Sequence, residues 1–196
     1  MNKQNNSGSN FKIRTFKNPI EWRNWLSENH IKEDGIWIQL FKKDSGIKSI
    51  SHTEALDEAL CFGWIDGQGK KYDESSWLLK FTRRRNKSIW SKKNVERVEK
   101  LIKLGKMESA GLKEINEAKT DGRWSKAYDS PANMAFPEDF LKKLSRNKKS
   151  LGFFESLDRT NKYSIAWRLQ TARKPETRMK RMEQILQMLS KGEKFH

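Results

Sequence analysis

Apolar residues recur along this chain at two spacings, one helical and one strand-like. From Asn18-Pro19 the spacing is helical. Asn18 is placed to cap the first turn, Pro19 presets its φ, and Trp22, Trp25 and Leu26 share one face to about Asn29. Gly35 opens IWIQLF, a short run rich in β-branched and aromatic residues, which predicts a buried strand. Residues 42–48 form a turn. Ser51-His-Thr-Glu54 is a capping box, and the helix behind it buries Ala55, Leu56, Ala59 and Leu60 until Gly63 stops it. Trp64–Gly67 predicts a short strand entering a tight turn, and Trp77–Thr82 another strand with Ile89-Trp90 pairing beside it. Ser91 then caps a basic helix whose Val95, Val98, Leu101 and Ile102 form one stripe.

Beyond Ala110 the spacing is helical almost throughout. Ala110–Thr120 sets Leu112, Ile115 and Ala118 on one side and ends at Asp121-Gly122. After a loop from Ser130-Pro131 to Phe136-Pro137 come four segments: Glu138–Leu144, Lys148–Leu157, Asn161–Thr171 and Pro175–Ser190. The last aligns Met179, Met182, Ile185, Leu186 and Leu189, with Gly192 just past its end. These elements predict an α+β protein with a small N-terminal mixed sheet flanked by helices, and a C-terminal α-helical bundle. The expected organisation is a disordered tail over residues 1–10, an α+β domain over 11–130 and a helical domain over 131–196.

Composition narrows the class. Eight Trp, ten Phe and three Tyr in 196 residues supply rings enough for a packed interior, despite 34% charged residues. No apolar run is long enough for a transmembrane helix, and the first ten residues lack the apolar stretch of a secretory signal. The single cysteine, Cys61, has no partner for an internal disulfide, which fits a reducing compartment. A cytoplasmic protein without membrane insertion is the expectation.

The formal charge of +16 is concentrated. Residues 80–106 hold eleven bases and two acids, and residues 141–149 hold five bases and no acid. Such windows suit nucleic acid or another polyanion, or an acidic protein surface. Part of the charge is self-compensating, because Glu96 with Lys100 and Glu99 with Lys103 are favourable i,i+4 pairs. The basic-surface candidates are Lys92, Lys93, Arg97, Lys142, Lys143, Lys148 and Lys149.

Catalytic chemistry is sparse. His30, His52 and His196 lie far apart and there is no CxxC or HExxH, so neither a metal nor another cofactor is expected. Along one helix, His52 stands nine residues from Cys61, a rise of about 13 Å, too far for a nucleophile–base pair. Gly63, Gly67 and Gly69 follow a helix rather than opening one, which points to a hairpin turn and not a phosphate loop. The constellation that remains is Trp64, Asp66, Arg83, Arg84, Arg85, Trp90, Ser91 and Asn94. Arg offers forked donors for phosphate or carboxylate, Trp a flat stacking surface, and a Ser-capped helix start free N–H groups. The competing reading makes both Trp core and the Arg run a charged hairpin edge.

The segments EALCFGWIDG (58–67), FTRRRNKSIWSKKN (81–94), DGRWSKAYDSP (121–131), RLQTARKPETR (168–178) and KGEKFH (191–196) together resemble the YdeI/OmpD-associated bacteriocin-protection family. The resemblance runs from about Phe16 to His196, with one departure: Arg83 stands where the family usually has Pro. It implies protection from bacteriocins and association with an outer-membrane porin, and it carries over no catalytic residues. The expected function is therefore that of a non-enzymatic stress or bacteriocin-protection protein binding an anionic partner through a basic, aromatic surface. The alternatives are a sensor or enzyme holding a small carboxylate or phosphate at Trp64, Asp66 and Arg84, and a protein-interaction module built on the helical bundle.

Overall fold

The computed structural model describes residues 11–196; the expected disordered tail lies outside them. The chain divides into two compact units. One comprises the described residues up to Ser88 with Glu96–Gly122, and the other Ile89–Val95 with Arg123–His196.

In the first unit, β1 (Ile13–Arg14), β2 (Gly35–Phe41), β3 (Trp64–Lys71) and β4 (Ser76–Arg83) form a sheet in the order β1-β2-β4-β3. β1 pairs with β2 in parallel, and the other pairings are antiparallel, so the sheet is mixed as expected. Helix α1 (Pro19–Asn29) starts where the Asn18 side chain accepts the Glu21 N–H at 3.0 Å. Helix α2 (His52–Cys61) starts at the complete Ser51/Glu54 capping box. These bonds to Ser51 hold the Glu54 carboxyl below its ordinary range. Strand alternation sends Ile36, Ile38, Leu40, Leu79 and Phe81 to one sheet face, where all are buried. There Trp22 meets Phe81 at 5.7 Å between ring centroids and Trp64 at 6.3 Å, and its Nε1–H donates to the Ala55 carbonyl.

Helix α3 (Lys92–Lys103) begins in the second unit and ends in the first, where α4 (Ser109–Thr120) follows. Ser91 caps α3 as expected, its Oγ accepting the Asn94 N–H at 3.1 Å. The second unit continues with α5 (Glu138–Leu144), α6 (Lys148–Ser156), α7 (Arg159–Gln170) and α8 (Pro175–Lys191). Their shared core contains Phe140, Leu144, Phe154, Ile165, Leu169, Met182, Ile185 and Leu189.

The structure corrects several local readings. β3 does not turn at Gly67: it runs to Lys71, and a bulge between Asp66 and Gly69 absorbs the glycines, so the hairpin turn falls at residues 72–75. The polar residues that look like a loop form an edge strand, where Lys discourages further pairing. Ile89-Trp90 is not a strand beside β4. Instead Ser91 bridges Tyr128 in parallel, and the Trp90 carbonyl accepts the Tyr128 N–H at 3.0 Å. Ile102, Leu112 and Met179, expected on the buried stripes, stand 40%, 38% and 52% exposed at the margins of their helices' buried faces.

Candidate anion-binding surfaces

Neither of the two tryptophans offers the expected stacking surface. Trp64 is wholly buried; its Nε1–H donates to the His30 carbonyl, and Trp25 meets its ring edge-on at 5.8 Å. Trp90 is 1% exposed and packs on Trp124 at 5.0 Å within the second unit. Neither ring has a face left for a ligand, so both are core. Asp66 Oδ2 accepts from His52 Nε2 at 2.8 Å, and His52 stands edge-on to Trp77. Arg83 is ion-paired with Asp34 and also donates to the Ile31 carbonyl. Arg84 is buried, with its N–H on the Gly63 carbonyl, whereas Arg85 is exposed. Ser91 and Asn94 are half-buried and serve the start of α3.

Two of the basic-surface candidates are also taken. Arg97 pairs with Asp57 on α2, and Lys92 Nζ lies 2.6 Å from Asp129 Oδ1. Lys93, Lys142, Lys143, Lys148 and Lys149 are exposed. Asp129 anchors a polar knot in the second unit. Its second carboxylate oxygen accepts from Gln170 Nε2 at 2.8 Å, while Gln170 Oε1 accepts the Asp129 N–H at 3.0 Å. Burial works to raise the Asp129 carboxyl, but Lys92 and Gln170 outweigh it and hold the group below the ordinary carboxylate range. Neither Asp129 nor Gln170 carries a local signal in the sequence, because their meeting spans 41 residues.

Cys61 is no nucleophile. It is fully buried, and burial followed by the neighbouring Glu58 carboxylate pushes its thiol up to about 11. Glu58 is committed to packing α1 on α2, accepting from Arg23 Nη1 at 2.8 Å; the same guanidinium pairs with Glu108 before α4.

A basic, aromatic surface does exist, on the sheet face opposite Trp22 and Trp64. Trp37, Gln39, Lys80 and Thr82 alternate out of phase with the core residues, and Lys70 joins them through its pairing with Leu78. Lys70 Nζ sits 4.5 Å from the Trp37 ring centroid, and Lys80 Nζ lies 4.6 Å from Phe11 and 6.0 Å from Trp37. Phe11 is seated on Gly35, where an added Cβ would come within 2.7 Å of its ring. Both rings are half-buried, and no strand position of this face carries a carboxylate. Part of the signal was present in IWIQLF, where Trp37 and Gln39 alternate with buried residues; in WLLKFT it is blurred, because Leu78 is buried yet in phase with Lys80.

Two family models match the chain. Residues 14–114 match the one described as Domain of unknown function (DUF8412), and residues 133–192 the one described as Bacteriocin-protection, YdeI or OmpD-Associated. The first spans β1 to α4 and just over half of the 196 residues; the second spans α5–α8. No curated protein and no solved structure matches. The C-terminal helices thus match the YdeI/OmpD-associated bacteriocin-protection family, and the sheet with its helices places the chain in the family of that domain of unknown function.

Proposed function

We propose that this protein serves bacteriocin protection as a non-enzymatic cytoplasmic protein that binds single-stranded nucleic acid across the sheet face carrying Phe11, Trp37, Lys70 and Lys80. The match of residues 133–192 to the bacteriocin-protection family supports the bacteriocin-related part. The observation that carries the binding mode is the pairing of half-buried rings with lysine ammoniums on a face free of carboxylate strand positions. An exposed lysine–ring contact is worth only ~0.5–1 kcal/mol, whereas a base stacked on an aromatic ring is worth ~1–3 kcal/mol. At Trp37 the exchange therefore favours the base, and the displaced Lys70 ammonium becomes available to the phosphate. The net charge of +16 adds long-range attraction for such a strand.

Fluorescence anisotropy with a labelled single strand, titrated across a salt series, tests this. The expected result is binding at low salt that weakens as salt rises. Trp37→Ala should weaken it by about fivefold or more, from the loss of one stacked base. Duplex DNA should bind less well than the single strand. Background affinity at low salt, salt-independent binding, or an unchanged affinity in Trp37→Ala would overturn the reading. A duplex preference would move the partner to the exposed lysines of α5 and α6.

A further inference from the structure

The second unit contains a cleft of about 240 Å³ between α7, α8 and the C-terminal segment, lined by Arg168, Arg181, Gln184, Ile185, Gln187, Met188 and Phe195. We propose that it is a binding site for a small organic acid, a carboxylate or phosphate monoester with a compact apolar body. The acid group would lie between Arg168 and Arg181, and the apolar part on Ile185, Met188 and Phe195. The inference is independent of nucleic-acid binding at the sheet.

The cleft is built rather than incidental. Gly192 takes a left-handed conformation (φ 75°) that ends α8 and turns the chain back over it. The returning segment is pinned by Asn161, itself 1% exposed, whose Oδ1 accepts the N–H groups of both Phe195 and His196 at 3.0 Å. Ser164 Oγ holds His196 Nε2 at 2.9 Å. Phe195 is thereby fixed as a wall, and the Arg168 guanidinium carbon lies over its ring, 4.4 Å from the centroid. Across the cleft, Arg181 Nη1 donates to the Arg168 carbonyl at 2.8 Å and lies 3.4 Å from Thr171 Oγ1.

Two guanidinium groups thus share one small cleft, and no carboxylate lines it among the described residues. By contrast, Arg23, Arg83, Arg97 and Arg178 each face an Asp or Glu, while Arg159 donates to the Pro131 carbonyl. A guanidinium held over a ring keeps its N–H donors, and these suit a carboxylate or phosphate through two parallel bonds. Arg181 has donors beyond the Nη1 group that caps α7. The glutamines supply neutral donors and acceptors at the rim. The volume falls below the ~300–1,000 Å³ of drug-sized sites, which limits the occupant to a small acid.

The test uses isothermal titration calorimetry of the full chain with benzoate, phenyl phosphate, benzamide and inorganic phosphate. Either benzoate or phenyl phosphate should bind saturably, and the better of the two tells whether carboxylate or phosphate is the preferred acid group. Benzamide, which keeps the ring without the charge, and inorganic phosphate, which keeps the charge without the ring, should each bind at least about tenfold more weakly. Arg168→Gln should weaken the better probe by about tenfold or more, and among the described residues that guanidinium makes no hydrogen bond that folding would miss. Lys143→Gln on α5 should leave it unchanged. Arg181→Gln is the second variant; an unchanged circular dichroism spectrum would show that its effect is on binding. No saturable binding by either acid, equal binding of benzamide, or full affinity in Arg168→Gln would overturn the assignment. Because Trp37→Ala should not alter benzoate or phenyl phosphate binding, failure here and failure of nucleic-acid binding are separate outcomes.

Discussion

The two units handle aromatic rings and arginines differently. The first builds its interior from indoles: Trp22 stacks on Trp25 at 5.2 Å and 14°, and both meet Trp64 edge-on. Its arginines 23, 83 and 97 are each neutralised by a carboxylate. The main core of the second is aliphatic and phenyl, and two of its arginines, 168 and 181, are left on a ring and on carbonyl or hydroxyl oxygens. A charge tied to an internal carboxylate contributes to folding and little to binding. A charge held by a ring or a helix end remains available to a partner. Binding chemistry is thus better sought where arginines lack acids than where bases are most numerous along the chain.

The largest test of this contrast is Trp64→Ala. Deleting a wholly buried indole that touches two others should cost about 4 kcal/mol in urea denaturation, above the ~3 kcal/mol expected for Leu169→Ala in the helical core. Equal costs would remove the aromatic cluster as the distinguishing feature. Next come the ion pairs. Glu58→Ala should cost about 2 kcal/mol, since it strips a buried acceptor from Arg23. Asp139→Ala, which breaks a more exposed pair with Arg178, should cost only about 0.5 kcal/mol. Similar values for the two would mean that burial does not set their weight.

A smaller effect is expected at Asp129. Its folded-state carboxyl lies below its ordinary value, so the unfolded chain takes up the proton first as pH falls. The stabilisation from Lys92 and Gln170 is then present above about pH 4 and lost as pH drops through the folded value. Denaturation curves between neutral pH and pH 3 should show this loss, and Asp129→Asn should flatten part of it. The smallest change is expected at Cys61: with its thiol pushed up to about 11 and no exposure, it should resist thiol reagents at pH 8 until the first unit unfolds. Rapid labelling of the native protein would show that α2 opens locally.

Much of the local structure was legible because its causes are short-range. Asn18-Pro19 and the Ser51/Glu54 box act within one helical turn, and both start helices where expected. Alternation in β2 and β4 already separated Trp37 and Lys80 from the core residues, although their proximity to Lys70 needed the register of β3. That register was hidden, because an edge strand of Gly, Gln and Lys carries no apolar alternation and its bulge breaks the period. The candidate pocket was misplaced for a related reason. Trp90 follows the arginine run by five residues and Trp64 precedes it by nineteen, and such spacing does not tell a buried ring from an exposed one.

From the residues alone came the α+β class, the helices and their caps, the mixed sheet and the basic windows, all governed by periodicity and by contacts a few residues apart. The tertiary structure decided which charges are consumed and which remain. Arg23 finds its acids 35 and 85 residues away, and Asp129 meets Gln170 across 41. Such pairings are set by how packed elements bring distant side chains together, and no local spacing encodes them. The same packing turned Phe195 back onto Arg168, making a cleft from two segments that the sequence shows only as separate motifs.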